Sequence, residues 1–227
     1  ARRVINMIRL SRYGGNCNIG VFAAAGEDLA LVAADAEPGF VRDLEAVIGV
    51  ETVLTSVAGS FVVGSLTAMN SNGIAVSGMA EQDELEKIRS AASNVVTVPG
   101  RYNAAGNNIL VNDRGAIVNP VYTDAALKEL SDVFGVECVR STLAGCDTVG
   151  SVCVVTNRGC VCHNDTTDEE MRLIADVLKV GCKRTTVNHG VDFLASGIIA
   201  NSKGALVGDL TMPIEMGRIE EGLDLYD

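Results

Sequence analysis

Glycine recurs along this chain with a period of about 44 residues, and that recurrence constrains the fold more than any other feature. Gly64, Gly106 and Gly150 each begin a short apolar run, and each is followed after nine residues by a second glycine: Gly73, Gly115 and Gly159. Gly204 extends the second series, with steps of 42, 44 and 45, and 44 residues before Gly64 stands Gly20. The 227 residues therefore divide into five similar units. A unit of that size buries too little surface to fold alone, so the five must pack against one another as one domain.

Each unit has a readable interior. Asn70-Ser71-Asn72-Gly73, Asn112-Asp113-Arg114-Gly115, Thr156-Asn157-Arg158-Gly159 and Asn201-Ser202-Lys203-Gly204 are polar turns between apolar runs. The expected role of their glycines is to supply the positive φ that closes a hairpin with a bulge. Apolar residues at helical spacing follow, as in Leu127, Leu130 and Phe134, or Met171, Ile174 and Leu178. Thr167 with Glu170 forms a capping box, and Pro213 after Met212 marks another helix start. A further β-rich run closes each unit: Thr52–Val57, Val95–Val98, Cys138–Leu143 and Lys183–Val187. The unit reads β-β-α-β.

The fifth unit ends before its last strand, and Ile8–Tyr13 at the other end of the chain leads to Gly20 as Val53–Gly59 leads to Gly64. The simplest arrangement is a closed ring in which the N-terminal strand completes the fifth unit, leaving few free strand edges. The expected units are 16–59, 60–102, 103–145, 146–190, and 191–227 plus 8–13. Tetratricopeptide, ankyrin and leucine-rich units are too short, and a WD40 blade contains no helix.

Several segments, in register along nearly the whole chain, resemble the translation initiation factor 6 family. They are Asn16-Cys17-Asn18-Ile19-Gly20, Ser56-Val57-Ala58-Gly59, Asn103-Ala104-Ala105-Gly106-Asn107, Asp176-Val177-Leu178-Lys179-Val180 and Thr186-Val187-Asn188-His189-Gly190. The resemblance implies an α/β pentein fold, five ββαβ repeats about a pseudo-fivefold axis (an α-β propeller). It also implies a cytoplasmic, monomeric ribosome anti-association factor that binds the large ribosomal subunit, blocks premature joining of the small subunit and serves large-subunit maturation. The implied partner is chiefly a basic ribosomal protein of the L-fourteen family near the sarcin–ricin loop, with minor RNA contact. Steric blocking requires no nucleotide, metal or other cofactor. Met7 stands where members of the family usually start, so Ala1–Asn6 are expected to be either an upstream extension or residues foreign to the natural chain.

Charge agrees with a protein partner. The net charge is −11, and the basic residues are scattered, several at turn tips (Arg114, Arg158, Lys203). Direct grip on RNA phosphates calls for a basic stripe, whereas an acidic surface suits a basic protein. Seven cysteines, an odd number without regular spacing, do not form a disulfide framework. Cys153, Cys160, Cys162 and His163 include two alternating strand positions that could suit a metal site, but there is no Cys-x-x-Cys pair and buried free cysteine is the expected reading, with no metal.

Two site hypotheses follow. The unit junctions are rich in asparagine, and the expected ribosome-facing residues are Asn16, Asn18, Ser60, Phe61, Ser65, Asn107, Asn108, Asn188 and Phe193. Asparagine also tolerates turn geometry, so each has a local reading beside the functional one. The alternative is a guanidino-modifying enzyme, as other pentein proteins are, built here from Cys182, His163 and Asp165. No glycine-rich phosphate loop or nucleophile motif supports it, since turns account for the glycines.

Overall fold

The structure, a computed structural model, describes residues 7–226; the expectation for Ala1–Asn6 lies outside them. It contains five separate three-stranded sheets of one pattern. In unit 4, Cys153–Val155 pairs antiparallel with Gly159–Cys162, the helix Asp168–Leu178 crosses over, and Gly181–Arg184 returns parallel to Gly159–Cys162. Such a crossover is what a parallel return demands. In unit 5 the returning strand comes from the other end of the chain, with Ile8–Ser11 parallel to Ala205–Gly208 in four-residue register. The expected completion of the last unit by the N-terminus is therefore present.

Ring closure occurs by packing between sheets, not by a continuous ladder. The first strands touch in order around the axis, and Ile198–Asn201 of unit 5 meets Ala23–Ala25 of unit 1. The amphipathic helices lie outside, so the middle strands are buried on both faces. Ile74–Ser77, Gly159–Cys162 and Gly204–Gly208 are buried throughout, which is why they read as continuous apolar or small-residue runs. Third strands are less covered: Arg9 and Leu10 of the closing strand are both exposed, Leu10 at 40%, and Leu54 of unit 1 at 37%.

The periodic glycines have a different role from the one the turns suggested. Positive φ is found at Gly14, Gly15, Gly49, Gly59, Gly100, Gly135, Gly145 and Gly190, and at none of the periodic glycines. What the periodic positions require is space. A Cβ on Gly64, Gly106 or Gly150 would collide with the backbone carbonyl of the matching residue one unit earlier, and one on Gly20 with that of Ala195. A Cβ on Gly73 would lie 2.5 Å from the Val133 carbonyl oxygen, at the end of the next unit's helix, and Gly115, Gly159 and Gly204 stand equally close to Val177, Gly222 and Val47. Unit 1 carries Leu29 in this second slot. The repeat seen in the sequence is thus the packing of one unit onto the next.

Each first strand is preceded by one helical turn that the sequence reading missed: Ile19–Val21, Val63–Leu66, Ala105–Asn108, Val149–Val152 and Leu194–Gly197. Three or four residues are too few for a helical period to show. The capping box Thr167/Glu170 is present, and Pro213 is the first residue of its helix, with Met212 at the cap.

Seams between units are held in two ways. At three of them the turn asparagine reaches across. Asn70 Nδ2 donates to the carbonyls of Asn112 (3.1 Å) and Phe134 (2.9 Å), Asn112 to Thr156 (3.1 Å) and Leu178 (2.9 Å), and Asn201 to Gly26 (3.1 Å) and Ile48 (2.8 Å). Each asparagine joins the next unit's turn to the last carbonyls of its helix, groups that a helix leaves without internal partners. Units 1 and 4 carry Gly26 and Thr156 in this slot. Beside those two seams lie clefts of about 220 Å³ and 510 Å³.

The same two seams are held at the opposite end by buried carboxylates. Glu84 accepts from the backbone N–H of Ala58 (2.7 Å), Gly59 (3.0 Å) and Glu81 (2.8 Å). Glu215 accepts from those of His189 (3.1 Å), Gly190 (2.8 Å) and Met212 (2.7 Å). Each carboxylate caps its own helix and also binds the turn that leaves the preceding unit. Burial opposes ionisation of both. The hydroxyl of Ser56 and the three amides outweigh it at Glu84, as Thr186 and its three amides do at Glu215, holding both carboxyls below their usual range.

Candidate functional site

Chain direction sorts the loops onto two ends of the ring. Hairpin turns and helix C-termini lie at one end; unit junctions, single-turn helices and helix N-termini lie at the other. At the hairpin end the turn-tip cations are occupied: Arg114 donates to the Lys179 carbonyl, Arg158 to that of Tyr226 and Lys203 to that of Glu27. These three turn-tip cations are seam contacts. The junction end is built from two-residue turns. Tyr13 bridges Asn16 around Gly14-Gly15, Val57 bridges Ser60 around Ala58-Gly59, and Leu143 bridges Cys146 around Ala144-Gly145, with positive φ at both middle residues. That backbone is the tight primed turn, which presents short, rigid loops.

At the centre of this end lies a pit of about 200 Å³. Its rim takes one residue from each single-turn helix: Val21, Ser65, Asn107, Ser151 and Ser196. Ser65 and Asn107 were singled out from the sequence; Val21, Ser151 and Ser196 were missed, although alignment on the periodic glycines puts all five in one slot. Phe193 also borders the pit, is 50% exposed and stands edge-on to the His163 ring (6.3 Å between centroids). Phe61, at the junction between units 1 and 2, is 45% exposed. Neither phenylalanine is a core residue. Loops at the same end add exposed Met79, Tyr102, Val121 and Leu210, which the sequence reading did not name.

The asparagines divide. Asn16 is exposed and accepts at Oδ1 from the Asn18 N–H (2.8 Å), while Asn18 is half-buried at the start of its turn of helix. Ser60 closes its junction turn, and its Oγ accepts from the Val62 N–H (3.4 Å). Asn107 is half-buried on the rim. Two candidates point inward and must be corrected. Asn108 is 3% exposed, donates to the Tyr102 and Ala104 carbonyls and accepts from Asn119. Asn188 is 5% exposed, adopts positive φ (51°), donates to the Cys17 carbonyl and accepts from Thr211. Both are internal fasteners, the role that an amide with two donors and an acceptor fills well.

The alternative set is not assembled. Cys182 lies opposite Cys160, on the side of its sheet packed against the unit's helix. His163 follows Cys162, so strand alternation turns it to the other side, where its Nδ1 accepts from the Asp165 N–H (3.0 Å). Among the described residues no group of three or more His, Cys, Asp or Glu is placed to hold a metal ion.

This end thus carries tight turns, a rim of four small polar side chains and Val21, and exposed apolar residues among acidic loops (Asp35, Asp147, Asp165, Asp192), on a ring protein of the pentein class. Comparison with known proteins agrees: the eIF-6 family profile matches residues 8–222, and the chain belongs to that family. It is similar over nearly its whole length to proteins named translation initiation factor 6. That of Archaeoglobus fulgidus is 44% identical over 209 residues, covering 92% of this chain and 96% of its own. The Halorubrum lacusprofundi protein is 44% identical over 216 residues, covering 95% and 98%. The Picrophilus torridus protein is 36% identical over 205 residues, covering 90% and 94%. No helix among the described residues is long and apolar enough to cross a membrane.

Proposed function

We propose that this chain is a translation initiation factor that binds the large ribosomal subunit through its junction end and sterically prevents the small subunit from joining. The observation that carries the reading is the end itself: Phe61 and Phe193 stand exposed around the Ser65/Asn107 rim on an acidic face, within a chain that follows its family from end to end. Exposed aromatic side chains in a rigid frame are what a protein interface uses as anchors, and negative charge draws in a basic ribosomal protein. An L-fourteen-family protein beside the sarcin–ricin loop fits this charge, with RNA contact minor. Blocking requires only that two bodies compete for one surface.

The test is sedimentation of purified archaeal subunits. The factor should travel with large subunits at one copy each and, at saturation, remove the peak of joined ribosomes. Undiminished joining would overturn the reading. Asn107→Arg locates the contact: a bulky cation facing a basic partner should weaken binding roughly 10- to 100-fold, about 1–3 kcal/mol, with the melting temperature unchanged. Normal binding by that variant would place the ribosome elsewhere on the ring.

A further inference from the structure

Unit 4 gathers four cysteines on the helix-facing side of one sheet. Cys153 pairs with Cys162 across the hairpin, and Cys160 pairs with Cys182 across the parallel strands. The shared register puts all four side chains on one side of the sheet, within one apolar cluster. Cys153, Cys160 and Cys162 are buried, whereas Cys182, on an edge strand of the sheet, is half-buried.

We propose that Cys182 is a site of oxidation by hydroperoxides and that Cys160 resolves it to an intra-sheet disulfide. Directly paired residues on adjacent strands lie about 5 Å apart at Cα, within the ~4.4–6.8 Å a disulfide spans. Cys162 pairs instead with Arg184, one step of two residues along the sheet, and its diagonal to Cys182 is longer. The environment favours the reactive form at the accessible position. Hydrogen bonds from the Cys160 and Cys162 thiols, with the nearby Arg184 charge, hold the Cys182 thiol below its ordinary range against the effect of burial. Cys160 is pushed up by its contacts with Cys153 and Cys182 and by burial, so it stays protonated as a donor.

In the first step Cys182 gives its proton to solvent and the thiolate attacks one peroxide oxygen. The S–O bond forms, the O–O bond breaks, and the departing hydroxide takes up the released proton as water; sulfur loses two electrons and the peroxide gains them. In the second, the Cys160 sulfur attacks Cys182, the S–S bond forms, the S–O bond breaks, and the Cys160 proton leaves with the hydroxyl as water. Two thiols and one hydrogen peroxide become one disulfide and two waters.

The full chain is treated with one equivalent of hydrogen peroxide, alkylated and digested with trypsin without reduction. The expected product links peptide 159–172 to peptide 180–183. Cys182 should react at least about tenfold faster than Cys17 and Cys146, which are also half-buried but lie outside the cluster. Cys182→Ser should abolish the link, and Cys160→Ser should leave a sulfenic acid on Cys182 that dimedone traps. Faster reaction at Cys17 or Cys146, or a first link between peptides 141–158 and 159–172, would overturn the proposal. So would the original link persisting in Cys160→Ser, and the wild-type rates decide the matter should that variant not fold.

Discussion

Three seams of this ring are closed at the hairpin end by an asparagine, and two are closed at the junction end by a carboxylate. The asparagine seams place one amide between two carbonyls of the next unit, a neutral bond set that does not change with pH. The carboxylate seams gather three amides and a hydroxyl on one buried charge, leaving a cleft where the asparagine is missing. A fivefold fold thus does not require five identical joints. It requires that every joint satisfy its exposed backbone somewhere, because a buried carbonyl or amide without a partner costs about 1–3 kcal/mol.

Removing the closing strand gives the largest expected effect. Deletion through Tyr13 takes the Ile8–Ser11 ladder from unit 5 and the buried Tyr13 ring, stacked on Phe22 (4.1 Å) and edge-on to Phe40 (5.1 Å), from unit 1. Leu10 contributes less than its side chain suggests, being exposed. The loss should still be roughly 4–6 kcal/mol, a large part of a typical total. Thermal melting reads it, and a truncated chain that melts within a degree or two of the full one would show that the ring holds without this strand.

The two kinds of joint are compared directly by Asn112→Val and Glu215→Gln. Asn112→Val strands the Thr156 and Leu178 carbonyls and removes the acceptor for the Arg114 and Gly115 amides, so it should cost about 2–4 kcal/mol at any pH from 4 to 8. Glu215→Gln should cost about 1–3 kcal/mol near neutrality and progressively less in acid. The folded carboxyl titrates below the unfolded one. Its contribution is therefore complete above the unfolded value of about 4.3 and is lost as pH falls through the folded value. Glu84 follows the same sign, so Glu84→Gln/Glu215→Gln should flatten the acid limb of the wild-type stability curve. Asp168, held down by Arg184, retains a smaller slope. Urea midpoints from pH 3 to 7 measure all of this, and an Asn112 variant with the steeper acid loss would invert the assignment.

Much of this architecture is legible in the sequence, though not always for the reason first given. The glycine period marks the units because backbone meets backbone across each seam, which leaves no room for a Cβ; turn conformation, the obvious reading, applies instead to Gly14, Gly15 and Gly59 at the junctions. Phe61 and Phe193 could be named as apolar residues at junctions, but only the fold shows them outside. Asn108 and Asn188 were indistinguishable from Asn107 because an amide that fastens a turn and an amide that faces a partner have the same local pattern. The carboxylate joints were half visible: Glu84 and Glu215 sit three residues after a helix cap, as a capping box predicts. Their second attachment, to a turn 25 or 26 residues earlier, has no signal at that spacing.

The smallest expected effect runs in the stabilising direction. Thr156 stands where Asn70, Asn112 and Asn201 stand in other units, and its hydroxyl already accepts from the Arg158 and Gly159 amides as their side-chain oxygens do within their own turns. It lacks only the amide group that crosses the seam. By the register of the repeat, the acceptors facing that group are the carbonyls of Asn201 and Leu223, since Gly159 already packs against Gly222 as Gly115 packs against Val177. Thr156→Asn should therefore raise stability by about 0.5–1.5 kcal/mol, the net value of a typical intramolecular hydrogen bond. The gain should persist in Glu215→Gln and be larger there, because the new amide fastens the same seam from its other end. A loss of stability in Thr156→Asn would mean that the seam between units 4 and 5 is set too wide for the asparagine joint, and that the cleft is a feature of the ring rather than a missing fastener.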